Sequence, residues 1–238
     1  MTDVGPAREV HATGARARWA ALDPAWRRAF ELAWEALGAG SIGVGAVVTD
    51  VGGEMVAQGR NRVGEVAAPP GQVAGSSLAH AEVNAVAQLP FRARRDLVLT
   101  TTLQPCLQCA AAIRFAPIAR VRIAGADPLW DGCDDFRSLG PWPARRPPVP
   151  SEGPLRDEMG VFATLLARLS PWFAPHIADA LRDHGEGPIH DLAAARQADG
   201  DVARLRERPV QDALVAWWPD LVEIAARRSG RNLPNLPS

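Results

Sequence analysis

Two short segments constrain the fold of this chain more than any other feature: His80-Ala81-Glu82, and the Cys106–Cys109 pair with two residues between. A Cys-x-x-Cys pair at the start of a helix can bring two thiolates onto one metal ion, because the sulfurs converge and the helix N-terminus favours negative charge. A histidine supplies a third ligand and leaves the fourth tetrahedral position open, as in catalytic zinc sites. The fold is therefore expected to bring these two segments together.

Glu82 follows the histidine by two residues, at the start of the same predicted helix. Zinc lowers the pKa of a bound water to about 7, which makes hydroxide available at neutral pH. A carboxylate beside that water is well placed to take its proton and pass it to a leaving amine. The two segments together thus predict a metal, an open coordination position and a proton shuttle.

Two other interpretations of the cysteine pair are a redox motif and a structural zinc knuckle. A redox motif has no need of a neighbouring His-x-Glu, and a knuckle needs a fourth ligand, which Cys133 could supply. Cys133 lies in an acidic turn, residues 131–135, after a predicted strand. We therefore expect a catalytic zinc site and a free structural thiol at Cys133.

The apolar patterns predict strands interleaved with helices, which is typical of an α/β sandwich. Asp23 and Pro24 are suited to the N-cap and first turn of a helix. Trp26, Phe30 and Trp34 follow at helical spacing, and we expect this stripe to pack in the core. The predicted order is helix 24–37, strands 44–49 and 55–58, helix 79–88, strand 97–102, helix 106–115 and strand 121–124.

The domain organisation follows from shifts in composition along the chain. We expect a loose N-terminal arm over residues 1–21, a zinc-site domain over 22–140, a Pro-rich linker over 141–154 and a helical extension over 155–238. Two apolar stripes at helical spacing occur in the extension, and the Trp217-Trp218 pair is expected in its core.

Composition excludes several classes of protein. The formal net charge is −1, so no global basic field attracts a polyanion. The chain contains no Lys, which removes Schiff-base chemistry and the lysine of a phosphate-binding P-loop. Three cysteines do not suit a disulfide scaffold, and neither a signal peptide nor a membrane span is evident. We expect a cytoplasmic protein without a membrane partner.

The pattern His-x-Glu followed by Pro-Cys-x-x-Cys is the signature of zinc deaminases. The chain resembles the cytidine and deoxycytidylate deaminase superfamily, and within it the branch of tRNA adenosine, guanine and fungal-type cytosine deaminases. The resemblance runs from Trp26 to Asp131 and includes the segments 43–48, 59–62, 79–82 and 102–106. One departure is Gln104, where the branch usually has Glu before Pro-Cys.

The resemblance implies a three-layer α/β/α sandwich around a five-stranded mixed sheet, to which this chain adds its C-terminal helical extension. It also implies zinc ligation by His80, Cys106 and Cys109, and a homodimer. The other roles it implies are proton transfer by Glu82, hydrogen bonds to the substrate from Asn61 and the Ala81 amide, and a pocket lined by Val44. Trp130 lies where relatives vary their substrate contacts, and it is a candidate for stacking on a base.

The expected activity is hydrolytic deamination of a small nucleobase, nucleoside or related heterocycle, with release of ammonia. The near-neutral charge favours a small substrate over a folded RNA. Two alternatives stay open: an adenosine deaminase that acts on tRNA or single-stranded nucleic acid, and a non-catalytic zinc-bearing scaffold. Cytosine, adenine and guanine deaminases share the same metal-binding residues, so the motif does not specify the ring.

Overall fold

A computed structural model describes residues 6–91, 96–145, 148–170 and 175–230. Parts of the expected arm, linker and extension, namely residues 1–5, 146–147, 171–174 and 231–238, lie outside the described residues. The helices are α1 (Pro6–Ala20), α2 (Pro24–Gly38), α3 (Ala81–Val86), α4 (Leu107–Phe115), α5 (Pro141–Ala144), α6 (Glu158–Arg168), α7 (Pro175–Asp183), α8 (Gly187–Ala198), α9 (Asp201–Leu205) and α10 (Val210–Gly230). The strands are β1 (Gly45–Thr49), β2 (Met55–Arg60), β3 (Leu97–Leu103), β4 (Ile118–Gly125) and β5 (Ser151–Glu152).

The strands form one mixed sheet in the order β2-β1-β3-β4-β5. Strand β1 is antiparallel to both β2 and β3, whereas β3, β4 and β5 run parallel to one another. The expected five-stranded mixed sheet is therefore confirmed. The first four strands coincide with those predicted from the sequence, to within a few residues at each end.

Helices cover both faces of the sheet, and two glycines allow their close approach. A Cβ atom on Gly45 would lie 2.2 Å from the Ala29 carbonyl oxygen of α2. A Cβ on Gly59 would lie 2.4 Å from the Ala81 carbonyl oxygen of α3. Gly59 pairs with Ala46, the neighbour of Gly45, so the two glycines face opposite sides. Since α6 packs on α2 and α4 packs on α3, the fold has three layers.

Two regions differ from the sequence-based expectations. The expected loose arm contains helix α1, which packs along α10 and places Gly14 against the Trp218 indole. The expected linker contains β5, and the first helix of the expected extension, α6, packs directly on β4. The sandwich thus continues beyond residue 140. The periodicity was too weak in α1, and β5 too short, to be recognised in the sequence.

The aromatic stripe of α2 joins the sandwich to the C-terminal helices. The rings of Phe30 and Phe162 stack at 5.7 Å between centroids, and Trp34 meets Trp217 edge-on at 6.0 Å. Trp217 and Trp218 are buried, so the core positions expected for both sets of aromatic residues are confirmed. Within the described residues, no helix is long and apolar enough to cross a membrane.

The close packing of β1 on α2 predicts that Gly45→Ala destabilises the protein. The added methyl group meets backbone atoms of α2, which cannot rotate away, and such overpacking costs about 1–3 kcal/mol in the free energy of unfolding. Urea denaturation followed by circular dichroism measures the change. Gly38→Ala is the control, because nothing lies within 4 Å of a Cβ at that position. Equal stability of the two variants would contradict this packing.

Candidate metal centre

The ligand-bearing segments lie at the N-termini of two neighbouring helices. His80 has an extended backbone and immediately precedes α3. Cys106 has the same conformation before α4, and Cys109 lies in the first turn of that helix. None of these side chains caps its own helix, since the imidazole and the Cys106 thiol turn toward each other instead. The partial positive charges of two helix N-termini therefore face the same three ligand atoms, where they favour negatively charged thiolates.

The three ligand atoms have the spacing of a tetrahedral zinc site. The Cys106 and Cys109 sulfurs are 3.7 Å apart, and they lie 3.5 and 3.4 Å from the His80 Nδ1 atom. Zinc–sulfur bonds of about 2.3 Å and zinc–nitrogen bonds of about 2.0 Å at tetrahedral angles give sulfur–sulfur and sulfur–nitrogen separations of about 3.8 and 3.5 Å. The donor set fits zinc without rearrangement. His80, Cys106 and Cys109 are thus positioned to bind a metal ion.

The protonation of the two thiols is coupled. The hydrogen bond between the two thiols, together with the contact to His80, lowers the pKa of Cys106 to about 4. The neighbouring sulfur and burial raise the pKa of Cys109 well above its usual value. Without a cation, the pair therefore shares one proton. A bound divalent ion favours two thiolates, so metal binding displaces that proton.

Glu82 lies inside the site, on the first turn of α3. Its side chain is 3% exposed, and one carboxylate oxygen lies 3.2 Å from the Cys109 sulfur. The other oxygen accepts a hydrogen bond of 2.7 Å from the Thr101 hydroxyl on β3. Burial raises the pKa of Glu82, and the Thr101 hydrogen bond partly offsets this effect. The carboxylate is thus oriented and adjacent to the ligand atoms.

Cys133 does not join the metal ligands. Its thiol donates a hydrogen bond of 3.4 Å to the Pro105 carbonyl, and burial raises its pKa to about 11. Among the described residues, the potential ligand group that includes the cysteine pair contains His80 but not Cys133. The arrangement is therefore that of a three-residue site rather than a four-residue knuckle.

The expected substrate residues Val44, Asn61 and Ala81 lie close to these ligands in the fold, and all three are buried. The Asn61 backbone N–H donates to the Val44 carbonyl, and the next residue, Arg62, donates to the Ala79 carbonyl beside His80. The Asn61 side-chain oxygen accepts from the Ile42 and Val63 N–H groups at 3.3 and 3.1 Å. Its amide nitrogen is consequently the end that can donate to a ligand.

Trp130 has a different location. It ends a 3-10 turn, Pro128–Trp130, is 39% exposed, and lines a cavity of about 820 Å³ between β4, α4 and the C-terminal helices. Gln104 and Pro105 line the same cavity, whereas His80, Glu82 and Asn61 do not. Stacking of Trp130 on a substrate remains a prediction.

Sequence reasoning missed two polar side chains that hold the site together, Thr101 and Asn84, and it noted a third, Gln104, only as a departure from the family pattern. Thr101 orients Glu82, and Gln104 bonds the turn that carries Trp130. The buried Asn84 amide binds the Val73 N–H and carbonyl and the Arg60 carbonyl. A detectable signal existed for Thr101, because three consecutive Thr residues fill a strand that the pattern predicts to be buried.

Comparison with known proteins agrees with this geometry. Residues 22–124 match the family described as the cytidine and deoxycytidylate deaminase zinc-binding region. A tRNA-specific adenosine deaminase 2 of Xenopus laevis is 28% identical over 116 residues, or 44% of this chain and 61% of that protein. The chain thus spans about three-fifths of this relative's length.

Two solved structures illustrate the structural neighbours. One, from a study of tRNA:A34 deaminases, is 28% identical and covers 52% of this chain and 93% of its own, with a TM-score of 0.40. The other, a guanine deaminase of Nitrosomonas europaea, is 22% identical and covers 61% and 83%, with a TM-score of 0.42. The region 22–124 thus matches a zinc-binding region of the cytidine deaminase superfamily, and His80, Cys106 and Cys109 in it are positioned to hold the zinc ion.

The ligand geometry predicts that the protein binds one zinc ion and that Cys109→Ala abolishes this binding. Loss of a direct ligand weakens affinity by at least about 100-fold, since a mere outer-shell partner already contributes 10- to 100-fold. Atomic absorption after gel filtration gives the zinc content per chain. Cys133→Ala is the matched control and retains zinc. Loss of zinc in both variants would mean that Cys133 is a ligand.

Proposed function

We propose that the protein is a zinc-dependent hydrolytic deaminase of a small nucleobase, nucleoside or related heterocycle. The observation that carries this proposal is the Glu82 carboxylate, which lies 3.2 Å from a ligand sulfur and is held by Thr101. A purely structural zinc site has no use for a buried carboxylate at this position, because the charge costs free energy to bury. The arrangement supports acid–base chemistry beside a metal.

The reaction replaces an exocyclic amine with an oxygen from water. His80, Cys106 and Cys109 would hold the zinc ion, whose chemical contribution would be a bound water activated for attack at neutral pH. Glu82 accepts a proton from the attacking water and delivers protons to the ring and to the departing amino group. The carbon–nitrogen bond breaks as the carbonyl forms, and ammonia leaves. The Thr101 hydrogen bond keeps the carboxylate in one orientation during these transfers.

We assign substrate binding to the residues around this carboxylate. The Asn61 amide nitrogen donates to an acceptor on the ring, because backbone N–H groups already occupy its oxygen. The Ala81 backbone N–H, at the N-terminus of α3, donates to the substrate edge, and Val44 provides an apolar wall. Trp130 is a candidate for stacking on a planar ring from the neighbouring cavity, which it lines together with Gln104 and Pro105.

A small substrate is favoured over a folded RNA. The net charge of −1 provides no broad basic field for a polyanion. The alternative is an adenosine deaminase acting on tRNA or single-stranded nucleic acid, and the name of the frog relative specifies tRNA. We further propose a cytoplasmic homodimer. A scaffold that holds zinc without turnover is the remaining alternative, and the buried Glu82 argues against it.

The mechanism predicts that Glu82→Gln abolishes deamination while zinc binding persists. The amide is isosteric but cannot accept the proton, so kcat falls about 10²- to 10⁴-fold. Ammonia release is measured with free bases, nucleosides, nucleotides and a tRNA anticodon stem-loop, with zinc content measured in parallel. Glu31→Gln, on the exposed face of α2, is the control for the loss of one carboxylate.

The substrate panel distinguishes the proposals. Release from one class of small molecule, lost in Glu82→Gln, supports the proposed function. Release only from the stem-loop, with affinity that falls steeply as salt increases, supports the nucleic-acid alternative. Full zinc occupancy with no turnover of any substrate favours the scaffold.

A further inference from the structure

Gln104 links the segment that carries Cys106 to the turn that carries Trp130. It follows β3 directly, and its backbone N–H extends the sheet pairing by a hydrogen bond of 2.9 Å to the Gly125 carbonyl. Its side-chain oxygen accepts from the Asp127 N–H at 3.1 Å, and its side-chain nitrogen donates to the Asp131 carboxylate at 2.8 Å. The oxygen and the nitrogen of the Gln104 amide are therefore both hydrogen-bonded to residues of the same turn.

The same turn has two further attachments. Asp127 lies in a buried ion pair, 3.2 Å from the Arg168 guanidinium on α6. The Cys133 thiol binds the carbonyl of Pro105, the residue next to Gln104. Residues 127–133 are thus held against the start of the metal-binding helix, and Trp130 lies between these attachments. Its side chain lines a cavity together with Gln104 and Asp131.

We propose that Gln104 is a positioning residue that holds the 127–133 turn, and with it Trp130, beside the metal-binding segment. The amide is required because the side chain must accept from a backbone N–H and donate to a carboxylate at once. A glutamate at this position accepts but does not donate, and it sets two carboxylates against each other at hydrogen-bond distance. The kinetic consequences rest on the proposed function, whereas the structural ones do not.

The first test measures the turn itself and needs no substrate. The zinc-loaded protein is treated with iodoacetamide, and alkylation of Cys133 is followed by mass spectrometry while zinc protects Cys106 and Cys109. We expect Gln104→Glu to raise the Cys133 rate about tenfold, since a lost hydrogen bond to a charged group shifts an equilibrium by at least that factor. Gln104→Met, which lacks both hydrogen bonds without adding charge, should also raise it.

Exchanging the carboxylate and the amide between positions 104 and 131 makes this test specific to their hydrogen bond. Asp131→Asn alone keeps an acceptor for the Gln104 amide but removes a charge that raises the pKa of the Cys133 thiol, so its rate gives the effect of that charge by itself. In the double variant Gln104→Glu/Asp131→Asn, the new asparagine amide donates to the new carboxylate, and the rate should return to within about twofold of the wild type. Gln211→Glu on α10 adds the same charge elsewhere and should change nothing. An unchanged Cys133 rate in Gln104→Glu, or no recovery in the double variant, overturns the proposal.

The second test applies to any substrate that the panel identifies. Displacement of the turn should raise KM about tenfold with kcat and zinc content retained, and the double variant should recover KM. A fall in kcat accompanied by zinc loss would place the role of Gln104 in the metal-binding segment and overturn the assignment. If no substrate is found, the proposed function fails, while the alkylation result still decides the role of Gln104.

Discussion

The site depends on the convergence of two helix N-termini at the edge of one sheet. Helix α4 follows β3 after a short connection, so the position of Cys106 is tied to the central strand pair. Helix α3 reaches the same point because Gly59 lets its backbone approach β2 closely. Two sulfurs and an imidazole lie within 4 Å of each other, so the protonation of one affects the protonation of the others. A divalent cation at this point would replace the protons and stabilise both thiolates.

The C-terminal helices are part of the support for this sheet. Helix α2 lies between the sheet and the helical cluster, with Gly45 against one side and Phe162 and Trp217 against its aromatic stripe. The Trp34 indole also donates to the Arg208 carbonyl at 2.9 Å. Removal of the cluster would expose large aromatic surfaces that are buried here, each worth several kcal/mol of stability. The extension therefore contributes to the layer that backs β1.

Sequence patterns predicted those elements of the structure whose signal lies within a short stretch of the chain. The four longer strands, α2 with its Asp23 cap, and the His-x-Glu and Cys-x-x-Cys segments all carry their signal within a few residues. The apolar residues of helix α1 are mostly Ala, with Val10 and Trp19 as its only large ones, and β5 pairs through two exposed residues. Neither element therefore shows a clear hydrophobic period in the sequence. The contacts of Thr101, Gln104 and Asn84 span from 2 to 27 positions in the sequence, and most depend on tertiary placement that no local pattern encodes.

In the loop from Asn61 to His80, polar side chains fix the relative position of the two ends, which apolar packing alone does not determine. A loop of this length can join its ends in many relative positions. The entropic cost of closing the loop grows only slowly with length, so loop length alone does not select one of them. Asn84 removes this freedom by binding Val73 from within the loop and Arg60 from the strand before it. The amide of Asn84 thus fixes the helix that follows His80, and the amide of Gln104 fixes the turn beside Cys106. In each case a side-chain amide, able to donate and accept at once, joins a loop to an element that carries a zinc ligand.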